Sequence, residues 1–193
     1  AYPRLRLLRK FDRVAYLVRA WDHRHLAEPS RSAFAEVTEG RASLIRRLRS
    51  EFGSRFVGGF VPSHFVQECY ADCSATVSTD RRSFLRATAE AGIAVSTVGL
   101  ADSNPWKIAE YLGMGVAMVS EPLRHRIPEP LRVGHDFEEF HNAEECVAQC
   151  RALLEDPVRT RAMGDAAGAY WDDFVRPDQL VHRRLADIGV VAT

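Results

Sequence analysis

Ala101-Asp-Ser-Asn-Pro-Trp-Lys-Ile-Ala-Glu-Tyr-Leu-Gly-Met-Gly115, followed by Val116-Ala-Met-Val-Ser120, reads as loop, helix, turn and strand. Asn104 is a good helix cap, and Pro105 stands where a helix best tolerates proline, at its first position. Ile108 and Leu112, four apart, make one apolar stripe. Gly113 or Gly115 can close the helix in a left-handed conformation. Val116–Ser120 is then a short buried strand.

The same stretch has the chemistry of a ligand site. A loop that opens a helix presents free backbone N–H groups at a positive dipole end, which suits a phosphate. Gly99, Ser103 and Asn104 belong to that loop, and Lys107 lies within one turn of it. Asp102 and Glu110 flank the helix start, and Glu110 is two turns in, on the side of Asn104 and Lys107. Two carboxyls and a cation around a helix start suit a nucleotide carrying a sugar. The plain alternative is an amphipathic helix with a solvated Lys and Glu.

Upstream, Gly92–Val98 is apolar enough for a strand buried on both faces, and it runs straight into Gly99 and the Asp102 loop. A strand feeding a loop that opens a helix is the ligand position of an open parallel sheet. Arg55–Val61 is the other clear strand, with Gly58 and Gly59 marking a close backbone approach to a ligand or to packed chain. Ser63–Tyr70 and the segment from Ser78–Asp80 through Glu90 read as helices. Leu5, Leu8, Phe11, Ala15 and Val18 recur at helical spacing, so the first twenty residues read as an amphipathic helix, and Arg41–Phe52 as another, ended by Gly53. Beyond Ser120, Leu131–Val133 is a candidate strand, and helices start at Asn142, Asp156-Pro157 and Pro177, the last using Val181, Leu185 and Ile188.

The expected fold class is therefore α/β, a Rossmann-like open parallel sheet flanked by helices, with N-terminal and C-terminal helical extensions. Residues 1–52 form the N-terminal helical segment, a linker or remnant of another domain. Residues 53–193 form the Rossmann-like nucleotide-sugar-binding domain with its closing helices.

Composition narrows the classes. Equal numbers of basic and acidic residues (26 each) leave no global field for nucleic acid or membrane. Up to Arg55, though, 13 Lys and Arg face 6 Asp and Glu. That basic front reads as solvated helix faces, or as a contact for a peripheral membrane surface or a missing domain. No run of eighteen apolar residues and no signal-peptide pattern occurs, so the expected location is cytoplasmic. The cysteine pairs Cys69/Cys73 and Cys146/Cys150 each fall on one helix face at a spacing that suits reduced core thiols better than zinc. His135, Asp136, Glu138, Glu139 and His141 form a polar cluster that matches no metal-site spacing and reads as a solvated loop. No dinucleotide fingerprint, phosphate-binding P-loop or serine nucleophile elbow is present.

The stretch Asp102…Glu110-Tyr-Leu-Gly-Met-Gly-Val-Ala-Met-Val resembles the nucleotide-sugar motif in the C-terminal domain of GT-B glycosyltransferases of the family 1 and 4 type. The tail Leu153-Leu-Glu-Asp-Pro157…Arg…Met163-Gly-Asp-Ala-Ala resembles the closing helices of the same enzymes, so the likeness covers about Arg41–Ile188. It implies that Glu110 bonds the donor ribose and that Asp102, usually Glu in retaining relatives, contacts the donor sugar. Lys107 is the implied cation on the leaving diphosphate. It also implies a UDP-sugar-like donor, an acceptor of unknown kind (glycan, lipid or small molecule), no specific nucleic acid, no cofactor and no metal. Asp102 and Lys107 are thus the catalytic candidates. Gly58, Gly59, Gly99, Ser103, Asn104, Lys107 and Glu110 are the donor-binding ones. Many relatives carry an Arg and a Lys soon after the first strand of this domain; after Phe60 this sequence has Val-Pro-Ser-His64, with His64 a partial substitute.

The expected function is hexosyl transfer from a nucleotide-sugar, this chain being the donor-binding C-terminal half of a bacterial glycosyltransferase. The alternatives are a non-catalytic interaction module with a degenerate fold, and another Rossmann-like enzyme such as a nucleotide-sugar epimerase.

Overall fold

A computed structural model describes residues 2–127 and 129–190. In chain order the elements are α1 (Tyr2–Leu5), β1 (Arg13–Val18), α2 (Ser30–Phe52), β2 (Phe56–Phe60), α3 (His64–Cys69), α4 (Arg81–Ala91), β3 (Gly92–Ser96), α5 (Lys107–Met114), β4 (Ala117–Ser120), β5 (Glu138–Glu139), α6 (Ala143–Glu155), α7 (Pro157–Tyr170) and α8 (Pro177–Asp187). The five strands form one sheet in the order β2-β1-β3-β4-β5, and every pairing is parallel. This is the open α/β sheet that the strand–loop–helix pattern predicts.

Alternation along the strands distributes the core. Val14, Tyr16, Val18, Ile93, Val95, Ala117 and Val119 face one cluster with α2, α3 and α6, while Leu17, Ala94 and Met118 face the other with α4, α5 and α7. Asp80 caps α4 by accepting from the N–H groups of Arg82 and Ser83 at 3.0 Å, and Gly53, Gly92 and Gly115 close α2, α4 and α5 with positive φ.

Several expectations need correction. The first twenty residues are not one helix. A four-residue turn of helix is followed by β1, paired with β2 on one side and β3 on the other. The apparent helical stripe joined apolar residues across Lys10–Asp12, where the chain turns and Phe11 takes a φ of 58°. Val14–Val18 is a continuous apolar run because it is a sheet strand covered on both faces. Leu131–Val133 is not a strand; the fifth strand is Glu138–Glu139. Cys69 ends α3 and is exposed, whereas Cys73 is buried beyond it, so only Cys146 and Cys150 share a helix. Val181 and Ile188 stay 58 % and 73 % exposed, so the stripe proposed for the last helix is not buried.

The basic N-terminal residues are largely spent inside the chain. Arg6 bonds the Gly113 and Gly168 carbonyls and pairs with Asp172 at 2.8 Å; Arg9 bonds the Gly115 carbonyl at 2.6 Å and pairs with Asp165 at 2.8 Å. They strap the segment before β1 across α5 and α7. No helix among the described residues is long and apolar enough to cross a membrane.

Candidate functional site: a cationic crevice at the switch point

The strand order reverses direction between β1 and β3. From β1 the chain crosses to β2 at one edge, then returns past β1 to continue from β3 toward the other edge. The loops at the carboxyl ends of these two strands therefore diverge and leave a crevice, the usual ligand position of an open parallel sheet. A cavity of about 790 Å³ lies there.

Among the described residues its charged lining is Arg19, Arg41, Arg81 and Lys107, with no Asp or Glu. Each cation is delivered by a different element. Arg19 directly follows β1, Arg41 is on α2, and Arg81 and Lys107 are the first residues of α4 and α5. Trp21, Phe84 and Trp106 add aromatic surface, with Trp106 65 % exposed at the mouth.

Lys107 is the most perturbed of the four. Its Nζ donates to the Leu17 carbonyl and lies 5.3 Å from the Phe84 ring centroid. Burial, with Arg41 and Arg19 as like-charged neighbours, pulls its pKa down to about 8, against an opposing pull from Glu110. The start of α5 carries no side-chain cap, so its free N–H groups remain available beside Lys107. The cap expected of Asn104 is not made. Asn104 Nδ2 instead donates to the His125 carbonyl at 2.7 Å, tying the loop to the segment after β4, and the first turn starts from the Pro105 carbonyl.

Glu110 sits just behind the crevice. It is buried at 3 % exposure; Oε1 pairs with Arg81 at 2.7 Å and accepts from the Tyr2 hydroxyl at 3.4 Å, while Oε2 has no partner among the described residues. Burial raises its pKa, and Arg81, Lys107 and Tyr2 pull against that rise. Asp102 lies at a second, shallower hollow of about 530 Å³, with Glu36, Glu121 and Asn142; the two hollows share Arg41, Thr97, Gly99 and Leu100. Ala101 and Asp102 are consecutive non-glycine residues with φ of 51° and 55°. Gly99 and Ser103 line the main cavity, and the Gly99 N–H donates to the Ser103 carbonyl at 2.9 Å.

The structure thus brings Gly99, Ser103, Asn104 and Lys107 to one cavity and Asp102 to the adjoining hollow, while Glu110 is buried and lines neither. Gly58 and Gly59 line neither hollow. At φ of 140° and 130° they let β2 approach other backbone: a Cβ on Gly58 would overlap the Tyr16 carbonyl, and one on Gly59 would come within 2.5 Å of the Cys73 carbonyl oxygen. His64 is exposed against Glu68 and is likewise absent from the cavity. The polar cluster near residue 136 is spent on ion pairs, Asp136 with Arg132 and His135, and Glu138 with Arg159. Among the described residues, no group of three or more His, Cys, Asp and Glu could hold a metal.

Arg19, Trp21, Arg41, Arg81 and Trp106 escaped the sequence reading. Arg19 had a findable signal, since a basic residue directly after the buried run Val14–Val18 marks a strand end. The chain after β2, Val61–His64, brings no cation to the cavity, whereas Arg19, directly after β1, lines it.

A family model described as glycosyl transferase-like matches residues 31–188, from α2 to just past α8. The chain belongs to the glycosyl transferase-like family. A search of curated proteins found no match. In this family member the matched region holds three of the four crevice cations, and β1 with Arg19 precedes it.

Proposed function

We propose that this chain is the donor-binding, C-terminal half of a GT-B glycosyltransferase and that the crevice at the β1/β3 switch point holds the diphosphate of a nucleotide-sugar. The carrying observation is a cavity with four cationic side chains and no carboxylate, beside the uncapped start of α5. A diphosphate has the charge to satisfy such a site. Glu110, one turn beyond Lys107, takes the ribose hydroxyls; its Oε2 is buried and without a partner among the described residues, so the donor must open a path to it. Trp106 offers a face on which a base stacks. Asp102, with Glu121 and Asn142 across the shared loop, faces the hydroxyls of the hexosyl group.

In the transfer, the bond from the anomeric carbon to the diphosphate oxygen breaks, and a bond to the acceptor oxygen forms. The acceptor proton leaves to a base outside this site. Negative charge grows on the departing diphosphate, where Lys107, Arg19 and Arg81 act as fixed electrostatic stabilisation. The acceptor itself is bound by a second domain.

The test is titration of the protein with UDP, GDP and ADP, followed by amide chemical shifts. Saturable shifts at residues 19–21 and 99–110 for one nucleotide, weakened in Lys107→Ala and Glu110→Ala, are expected. No shift at millimolar concentration of any of the three overturns the proposal.

A further inference from the structure

Arg41 stands apart from the other three cations. It is the buried one, at 8 % exposure, and among the described residues it makes no salt bridge to a carboxylate, a lack it shares with Arg19 and Lys107. Its guanidinium is instead spread over main chain. Nη1 donates to the Arg19 carbonyl and Nη2 to the Val98 carbonyl, both at 3.1 Å. The first carbonyl lies just beyond β1 and the second just beyond β3, so one side chain from α2 spans the two strand ends that form the crevice. The indole of Trp21 stacks on the same guanidinium, its ring centroid 4.5 Å from Cζ, and meets Phe34, also on α2, edge to face at 5.5 Å. The Val98 peptide is held from its other side as well, its N–H donating to Glu121 Oε2 at 2.7 Å.

We propose that Arg41 is a positioning residue for donor binding: it ties the chain leaving β1 to the chain leaving β3, and so fixes Arg19 and the Gly99–Asn104 loop around the diphosphate. This rests on the nucleotide-binding reading of the crevice. Two observations set the residue type. Two carbonyls beyond the ends of separate strands are bridged by the two ends of one rigid guanidinium fork, a span that a lysine ammonium, with its donors on one nitrogen, does not reproduce. A stacked indole likewise needs the flat guanidinium face.

The test compares Arg41→Lys and Arg41→Met with the parent protein by amide hydrogen exchange without ligand and by affinity for UDP, GDP and ADP. Arg41→Lys keeps the charge and loses the fork. It is expected to speed exchange at residues 19–21 and 98–104 while β2 and α6 keep their protection, and to weaken nucleotide binding about tenfold, at the lower edge of what one charged hydrogen bond is worth. A second readout is the pH profile of binding, set by Lys107. Its charged neighbours are Arg41 from α2, Arg19 after β1 and Glu110 on its own helix. The profile's midpoint is expected to stay in place in Arg41→Lys and to rise in Arg41→Met, where the like charge is gone. Parent-like affinity in Arg41→Lys overturns the proposal, as does exchange that is unchanged or raised evenly across the sheet. An unmoved midpoint in Arg41→Met overturns it too. If the parent protein binds none of the three nucleotides, the donor reading fails by itself, and the exchange pattern alone decides the clamp.

Discussion

Raising the pH from 7 to 9 should weaken nucleotide binding through one group, Lys107. With a pKa of about 8, its amine is about nine-tenths protonated at pH 7 and about one-tenth at pH 9. The terminal phosphate ionises near pH 6, so the ligand's charge is nearly constant over this range. If only the ammonium form binds, the dissociation constant rises about tenfold, or about 1.4 kcal/mol, just under the ~1.5–3 kcal/mol expected of a charged hydrogen bond. An anion at Nζ raises the lysine pKa, so binding at pH 8 should take up about half a proton. Calorimetry at pH 8 in two buffers of different ionisation enthalpy measures that uptake directly. Lys107→Met should abolish both the uptake and the pH dependence. Stability has its own sign. The unfolded lysine, with its ordinary pKa of 10.5, binds more protons than the folded one between about pH 8 and 10.5, so stability rises with pH there, and Lys107→Met should flatten that rise. Affinity that is flat from pH 7 to 9, with no proton uptake, refutes the assignment of Lys107 to the diphosphate.

Other substitutions separate site from scaffold. Glu110→Ala removes the carboxylate with the unpartnered Oε2 and should weaken nucleotide binding about tenfold by isothermal titration. Gly58→Ala forces a Cβ onto the Tyr16 carbonyl at a φ of 140° and should lower stability by about 3 kcal/mol, read as a shift in urea midpoint. Thr38→Val replaces a fully buried hydroxyl that has no partner among the described residues with a methyl group of the same shape, and should raise stability by about 1 kcal/mol in the same assay without changing nucleotide affinity.

The segment from Gly92 to Ser120 was legible because every signal agreed. A buried apolar run, a loop, an i, i+4 stripe, a glycine stop and a second apolar run follow one another, and β3, α5 and β4 match them to within two residues. The N-terminal strand was not, because Leu5, Leu8 and Phe11 belong to packed turns that happen to continue the helical spacing into Ala15 and Val18. That coincidence of spacing conceals the first strand and with it the switch point and Arg19 at its end. Arg41 was illegible for a different reason. On a helical wheel it is one more arginine among several, and only the sheet order reveals that both strand ends lie within its reach. Gly58 and Gly59 do mark a close backbone approach, but the neighbours are β1 and the chain near Cys73, and neither glycine lines a hollow as a donor-binding residue would.

The departures from ordinary packing also bear on where the site is. Four buried side-chain atoms lack a partner among the described residues: Thr38 Oγ1, Arg41 Nε, Ser96 Oγ and Glu110 Oε2. Arg41 and Ser96 line the crevice, and Glu110 lies behind it. Two of the three non-glycine residues with positive φ, Ala101 and Asp102, are in its loop, and its lysine is held well below the usual pKa. Each feature costs stability, through desolvation, an unmade hydrogen bond or backbone strain. Imperfections of folding would scatter over the sheet and both helical layers. That most of them gather around one strand-end crevice, against a core that elsewhere alternates cleanly between two faces, supports reading the crevice as a site kept ready for a charged ligand.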